Sequence, residues 1–156
     1  MKFILGLLVV FLFNSTQAQT IAEWKIGDYE KYINAPGDEI LVINFWATFC
    51  KPCVAEIPGM IKVSEKHGAR LMLVSVDAPS VYPKKLKKFV KDKKWKTNLA
   101  WLNESDADYF CPRVDQQWSG SIPATLIINK KTGKRLFAEG EMSAKDFEGM
   151  IKKIMQ

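Results

Sequence analysis

The stretch Trp46-Ala47-Thr48-Phe49-Cys50-Lys51-Pro52-Cys53 closes an apolar run and opens a helix. Ahead of it, residues 40–45 (Ile-Leu-Val-Ile-Asn-Phe) are short, continuous and rich in β-branched side chains, the pattern of a buried strand. Behind it, residues 54–66 carry Val54, Ile57, Ile61 and Val63 as an apolar stripe, the pattern of a helix. Two cysteines three apart at such a junction signal dithiol chemistry. At a helix N-terminus the unpaired N–H groups and the positive dipole end favour thiolate over thiol. Lys51 adds cationic bias, and Pro52 suits the first turn, where a missing N–H costs nothing. Cys50 is therefore the candidate nucleophile and Cys53 the candidate resolving thiol. The rival reading is half a zinc site, but Cys111 and His67 are the only other cysteine and histidine and form no second close pair.

The remainder of the 156 residues frames one domain. Met1-Lys2 is a short basic start, residues 3–13 are uninterruptedly apolar, and Thr16-Gln17-Ala18 offers the small residues a signal peptidase requires. Residues 1–18 thus read as a signal peptide, and residues 19–156 as the mature domain, exported to a bacterial periplasm. An uncleaved tether is the alternative, although the apolar run is short for a bilayer span. The chain has no linker-like, repeated or low-complexity segment, and its formal charge is +6. Much of that excess sits on Lys84, Lys85, Lys87, Lys88, Lys91, Lys93, Lys94 and Lys96, with Leu86, Phe89 and Val90 at helical spacing between them. This reads as a solvated basic helix face, or a docking patch for an acidic partner, rather than a nucleic-acid site in an exported protein.

In chain order, a short strand or extended entry precedes a helix over about 27–34. After the central strand and motif, Pro58 should kink or break the helix and Gly68 should end it. Residues 70–77 read as a second buried strand, parallel to the first. The basic helix follows over 82–93, then a short strand over 98–102. A helix over 105–118, capped by Ser105, should be interrupted at Pro112. Strands over 124–129 and 134–139 form a hairpin about a Lys-Lys-Thr-Gly turn, and Ser143 caps a last helix to Ile154. The main order is β-α-β-α-β-α-β-β-α around a mixed sheet.

Phe45-Trp46-Ala47 leading into Cys50-Lys51-Pro52-Cys53, then Pro58, then Ile122-Pro123 ahead of a hairpin and helix, resemble the thioredoxin superfamily over nearly the whole mature length. The resemblance implies an α/β, thioredoxin-like three-layer fold with a central mixed sheet flanked by helices. It implies that Pro123 is a cis-proline beside the sulfurs, and that the Ile122 backbone pairs with an extended client segment; an ordinary trans proline at a strand start is the alternative. Asn44 stands where thioredoxin itself has a buried aspartate, and Glu56 lies three residues beyond Cys53. With the signal segment and Trp118-Ser119-Gly120-Ser121-Ile122-Pro123, this is similar to the exported TlpA/ResA-like branch. In that branch the matching glutamate tunes the cysteines; a plain exposed helix residue is the alternative for Glu56.

The expected activity is reduction of protein disulfides by exchange through Cys50, Cys53 and Glu56, with Trp46, Phe49, Ile122 and Pro123 as client-binding residues. It requires no cofactor and no metal. Its partners are protein disulfide or dithiol clients and an upstream membrane electron donor, with neither nucleic acid nor stable membrane insertion after cleavage. An oxidase or isomerase, or a non-catalytic redox-gated binding module, would use the same motif. A peroxidase lacks its Pro-x-x-x-Thr-x-x-Cys pattern here. Cys111, in an apolar setting, reads as a buried hydrophobe, with a third redox thiol or an intermolecular disulfide as alternatives. His67 reads as a surface or capping residue.

Overall fold

The computed structural model describes residues 20–156, so the expected signal segment lies outside the described residues. Eleven elements follow: β1 (Ile21–Trp24), α1 (Ile26–Asn34), β2 (Ile40–Trp46), α2 (Lys51–His67), β3 (Arg70–Ser75), α3 (Lys84–Lys93), β4 (Asn98–Leu102), α4 (Ala107–Val114), β5 (Ala124–Asn129), β6 (Arg135–Glu139) and α5 (Ala144–Met155). The sheet order is β1-β4-β3-β2-β5-β6. The first four run parallel, while β5 is antiparallel to both β2 and β6. This is the expected mixed sheet, with β4 and α4 as full elements that enlarge the nine-element order.

Alternation along the strands sends side chains to two cores. Val42 and Trp46 of β2 join Leu71, Leu73, Leu99 and Ile127 beneath α2, α3 and α5. Leu41, Ile43 and Phe45 join Met72, Val74 and Leu126 beneath α1 and α4. Helices therefore cover both faces, which is why β2 reads as a continuous apolar run.

Three local expectations need correction. α2 runs unbroken through Pro58, which lies on its exposed side; a carbonyl left without a helical donor there can bond water. Its companion Gly59 lets α5 approach, since a Cβ there would stand 3.1 Å from the Ala144 Cβ. The helix expected over 105–118 is only α4, capped by Asp106, whose side chain accepts from the Tyr109 amide, rather than by Ser105. Pro112 falls in its last turn and the helix stops at Val114, leaving Trp118 outside it. The Trp118 indole packs on Phe45 at 4.6 Å between ring centres and donates to the Ser121 carbonyl at 2.8 Å. Gly68 closes α2 in the left-handed region at φ 63°, as its position implied.

Candidate active site: a disulfide at the N-terminus of α2

β2 ends at Trp46, and a tight turn over residues 47–50 delivers Cys50 to the N-cap of α2. The Cys50 amide donates to the Ala47 carbonyl at 3.1 Å, and the Cys50 carbonyl accepts from Val54 at 3.1 Å. Cys50 and Cys53 form a disulfide, with Cα atoms 5.3 Å apart. The Cys53 amide points at the Cys50 sulfur at 3.3 Å. That donor, with the helix dipole, is placed to stabilise negative charge on this sulfur once the bond is reduced.

The two sulfurs differ in access. Cys53 is completely buried, whereas Cys50 retains 8% exposure beside Phe49, which is 74% exposed. The Cys50 sulfur lies 3.8 Å from the Ile122 carbonyl oxygen, and the Ile122–Pro123 bond is cis. Phe49 and half-exposed Ile122 thus flank the accessible sulfur. Trp46 does not join them. It is fully buried against Trp95, with ring centres 5.0 Å apart, in the core that also holds both sulfurs. Expected on the client-binding surface, Trp46 instead forms part of the floor beneath the disulfide. The physical reason is that Trp46 shares with Val42 the face of β2 covered by α2, α3 and α5.

Glu56 is buried, not the exposed helix residue of the alternative reading. One carboxylate oxygen accepts from the Asn44 side-chain amide at 3.0 Å, and the other from the Met142 backbone amide at 3.0 Å. Asn44 also donates to Thr125 at 3.0 Å. Burial pushes the Glu56 carboxyl above its ordinary range; the Met142 and Asn44 donors pull it down, and nearby Glu141 raises it. A proton-accepting group thus sits one helical turn from the inaccessible sulfur, linked to β2 and β5 by one amide.

The raised folded value fixes the direction of a pH effect. The folded state holds the Glu56 proton more tightly than the unfolded chain does. Its contribution to stability is present in acid and is lost as pH rises from about 4 through the raised folded value. Urea titrations across that window should show wild type losing stability relative to Glu56→Gln as pH rises. A difference that stays flat with pH would refute the coupling.

Asp77, unnoticed in the sequence, pins the turn before Cys50. Its buried carboxylate accepts from the Thr48 amide at 3.1 and 3.0 Å, the Thr48 hydroxyl at 2.6 Å and the Ser75 hydroxyl at 2.8 Å. Its own carbonyl accepts from the Trp101 indole at 2.8 Å. The available signal was an aspartate ending an apolar strand, a position more often read as the start of a loop.

The other singled-out residues lie elsewhere. Cys111 is free and buried in the core on the opposite face of the sheet; burial first, then Glu139 and Asp108, push its thiol up to about 11. His67 is neither merely exposed nor a cap, because its ring meets Glu148 of α5 at 3.0 Å. Lys66, His67 and Lys152 together hold the Glu148 carboxyl down to about 2. Among the described residues, no group of three or more His, Cys, Asp or Glu is arranged to hold a metal ion. Nor is any described helix long and apolar enough to cross a membrane.

A mixed sheet covered on both faces, with a Cys-x-x-Cys disulfide opening a helix beside a cis-proline, defines a thioredoxin-like protein. A sequence model described as the AhpC/TSA family matches residues 14–134, and the chain belongs to that family. It is 39% identical over 128 residues to the thioredoxin-like protein YneN of Bacillus subtilis, covering 78% of this chain and 68% of that one. It is 28% identical over 119 residues to the thiol-disulfide oxidoreductase ResA of Geobacillus kaustophilus, covering 72% of this chain and 61% of ResA. The chain thus spans under two thirds of that ResA and slightly more of YneN. The fold is similar to that of a thioredoxin-related protein from Neisseria meningitidis serogroup B, with a TM-score of 0.65 at 21% identity over 79% of this chain and 90% of that one.

Proposed function

We propose that this protein is an exported thiol-disulfide oxidoreductase that reduces disulfides in client proteins. The observation that carries the reading is the unequal pair: Cys50 reaches the surface at a helix N-terminus, and Cys53 is sealed behind it. Its relatives are named a thioredoxin-like protein, YneN, and a thiol-disulfide oxidoreductase, ResA, which supports the exchange chemistry. In the reduced protein the Cys50 thiolate attacks a client disulfide. A mixed disulfide forms, and the first client sulfur leaves as thiolate. Cys53 then gives its proton to Glu56 or to water and attacks the Cys50 sulfur. The second client sulfur leaves, and the Cys50–Cys53 disulfide remains. The client gains two electrons and the protein loses two, so a dithiol donor on the membrane side must restore the reduced form. Phe49 and Ile122 offer the client an apolar edge beside Cys50, and residues 1–18 supply the export signal.

The test is the reduction potential of the Cys50–Cys53 pair in a Cys111→Ala background, equilibrated in thiol buffers. Tryptophan fluorescence is a suitable readout because Trp46 shares a core with both sulfurs. A value of roughly −250 mV or lower is expected of a reductase, whereas one near about −120 mV would make the protein an oxidant and overturn the direction proposed.

A further inference from the structure

The topology sorts charge to two ends of the molecule. Parallel strands joined by crossover helices place strand starts and helix C-termini together at one end. Cys50, at the end of β2, lies at the other. Lys93 and Lys94 close α3, Lys96 leads into β4, and Lys130, Lys131 and Lys134 ride on the β5–β6 turn, all at the end away from Cys50. Lys152 and Lys153 join them from the last turn of α5, whose Ile154 carbonyl is bonded to Asn129 at the end of β5. Around the Cys50 end Glu104, Asp106, Asp108, Glu139, Glu141 and Asp146 offset Lys25, Lys51, Lys84, Lys85, Lys87 and Lys145, so the cation excess lies at the opposite end.

Cations in the last turns of helices complement the helix dipoles, which accounts for Lys93, Lys152 and Lys153. It also covers Lys130, which donates to the Ile33 carbonyl in the last turn of α1, but not Lys96, Lys131 or Lys134. Nor do the acids at this end cancel them. Glu148 is engaged by Lys66, His67 and Lys152, Glu39 faces Arg70 at 3.5 Å and Asp92 holds Lys88, which leaves Asp38 and Glu65 against the remaining lysines.

A second, independent observation names the occupant. β1 pairs with β4 in parallel, Ile21 opposite Leu99, so the chain enters the fold at this same basic end. On the reading of residues 1–18 as an export signal, this is the end that meets the membrane during export. The cations are nearly all lysines; the arginines are Arg70, Arg113 and Arg135 alone. Lysine acts as a point charge on a long stem and suits a diffuse anionic surface, whereas planar, bidentate recognition of single phosphates draws on arginine. We propose that the basic end is a docking surface for an anionic phospholipid bilayer. Docked this way, the protein holds Cys50 on its far side, about 20 Å away along the seven residues of β2.

The test is sedimentation of the full chain with vesicles of phosphatidylcholine alone and with phosphatidylglycerol added. Lys2 and the terminal amine add anionic affinity of their own, so the basic end is read from variants that share residues 1–19. Wild type should bind the anionic vesicles more tightly, and the gain should vanish in about 0.5 M salt, where screening reaches only a few ångströms. Replacing Lys96, Lys131, Lys134 and Lys153 by Gln should lower the phosphatidylglycerol-dependent partition on the order of a hundredfold. Replacing Lys84, Lys85, Lys87 and Lys145, near the helix N-termini at the other end, removes the same charge and should lower it less than about threefold. Equal loss in both variants would mean that net charge matters and the pole does not. No lipid-dependent gain in wild type, or equally tight binding to poly-uridine or poly-glutamate, would likewise overturn the proposal.

Discussion

A Cys53→Ser variant should capture its client and keep it. Cys50 would still attack, since it is the sulfur with surface access beside Phe49 and Ile122. The serine hydroxyl in the sealed position cannot displace the client sulfur, so the mixed disulfide would persist. Steady-state turnover of a protein disulfide should fall by about 10³-fold or more. On a non-reducing gel the covalent adduct should build up to one client per chain and disappear with added dithiol. Cys50→Ser should lose turnover equally and form no adduct, and that asymmetry is the decisive reading. If Cys53→Ser turned over within tenfold of wild type, or if the adduct formed through Cys53 in Cys50→Ser, the assigned order of attack would be wrong.

Removing the Asp77 carboxylate should loosen the turn that delivers Cys50 and destabilise the fold. Asp77→Ala leaves the Thr48 amide, the Thr48 hydroxyl and the Ser75 hydroxyl without their acceptor. Hydrogen bonds to a charged acceptor contribute about 1.5–3 kcal/mol each but do not add, so a total near 3 kcal/mol is expected. For a domain of this size that corresponds to a melting temperature lower by about 10 °C. Asp77→Asn should recover only part of it, because its amide nitrogen would confront a donor. Exposed Asp92, whose partner is Lys88 on the same helix, provides the contrast: Asp92→Ala should change stability by no more than about 0.5 kcal/mol. Equal melting temperatures for the Asp77 and Asp92 variants would show that the Thr48 turn holds without its clamp.

The parts of the molecule legible in the sequence are those whose signal is local. β2, β4 and β5 fall on their expected residues because short apolar runs, β-branched in β2 and β5, are bounded by polar and turn-forming residues. Gly68 and Ser143 mark helix ends through backbone geometry and a side-chain acceptor, both set within a few residues. What stayed hidden depends on partners far along the chain. The spacing from Cys53 singles out Glu56, but not what holds it: Asn44, twelve residues back, and Met142, eighty-six ahead. His67 finds Glu148 across eighty-one residues. Ser105 and Asp106 are adjacent and chemically suited to cap the same helix, and only the backbone path selects Asp106. Trp46 was misplaced because the motif draws attention to neighbours in sequence, whereas the strand sends alternate side chains to opposite faces. The lysines of the basic end lie in separate connections that only the strand order brings together.

The sheet between Cys111 and the Cys50–Cys53 pair makes an odd cysteine count behave as an even one. With a layer of backbone between them, the third sulfur cannot swap partners with the first two while the fold is intact. The folded chain is therefore a closed two-electron carrier with no internal route to a scrambled isomer. A thiol-reactive mass tag applied without denaturant should accordingly mark Cys50 alone in the reduced chain and nothing in the oxidised one. Gel mobility then becomes a direct gauge of the redox state of Cys50–Cys53 inside a cell, without removing any cysteine.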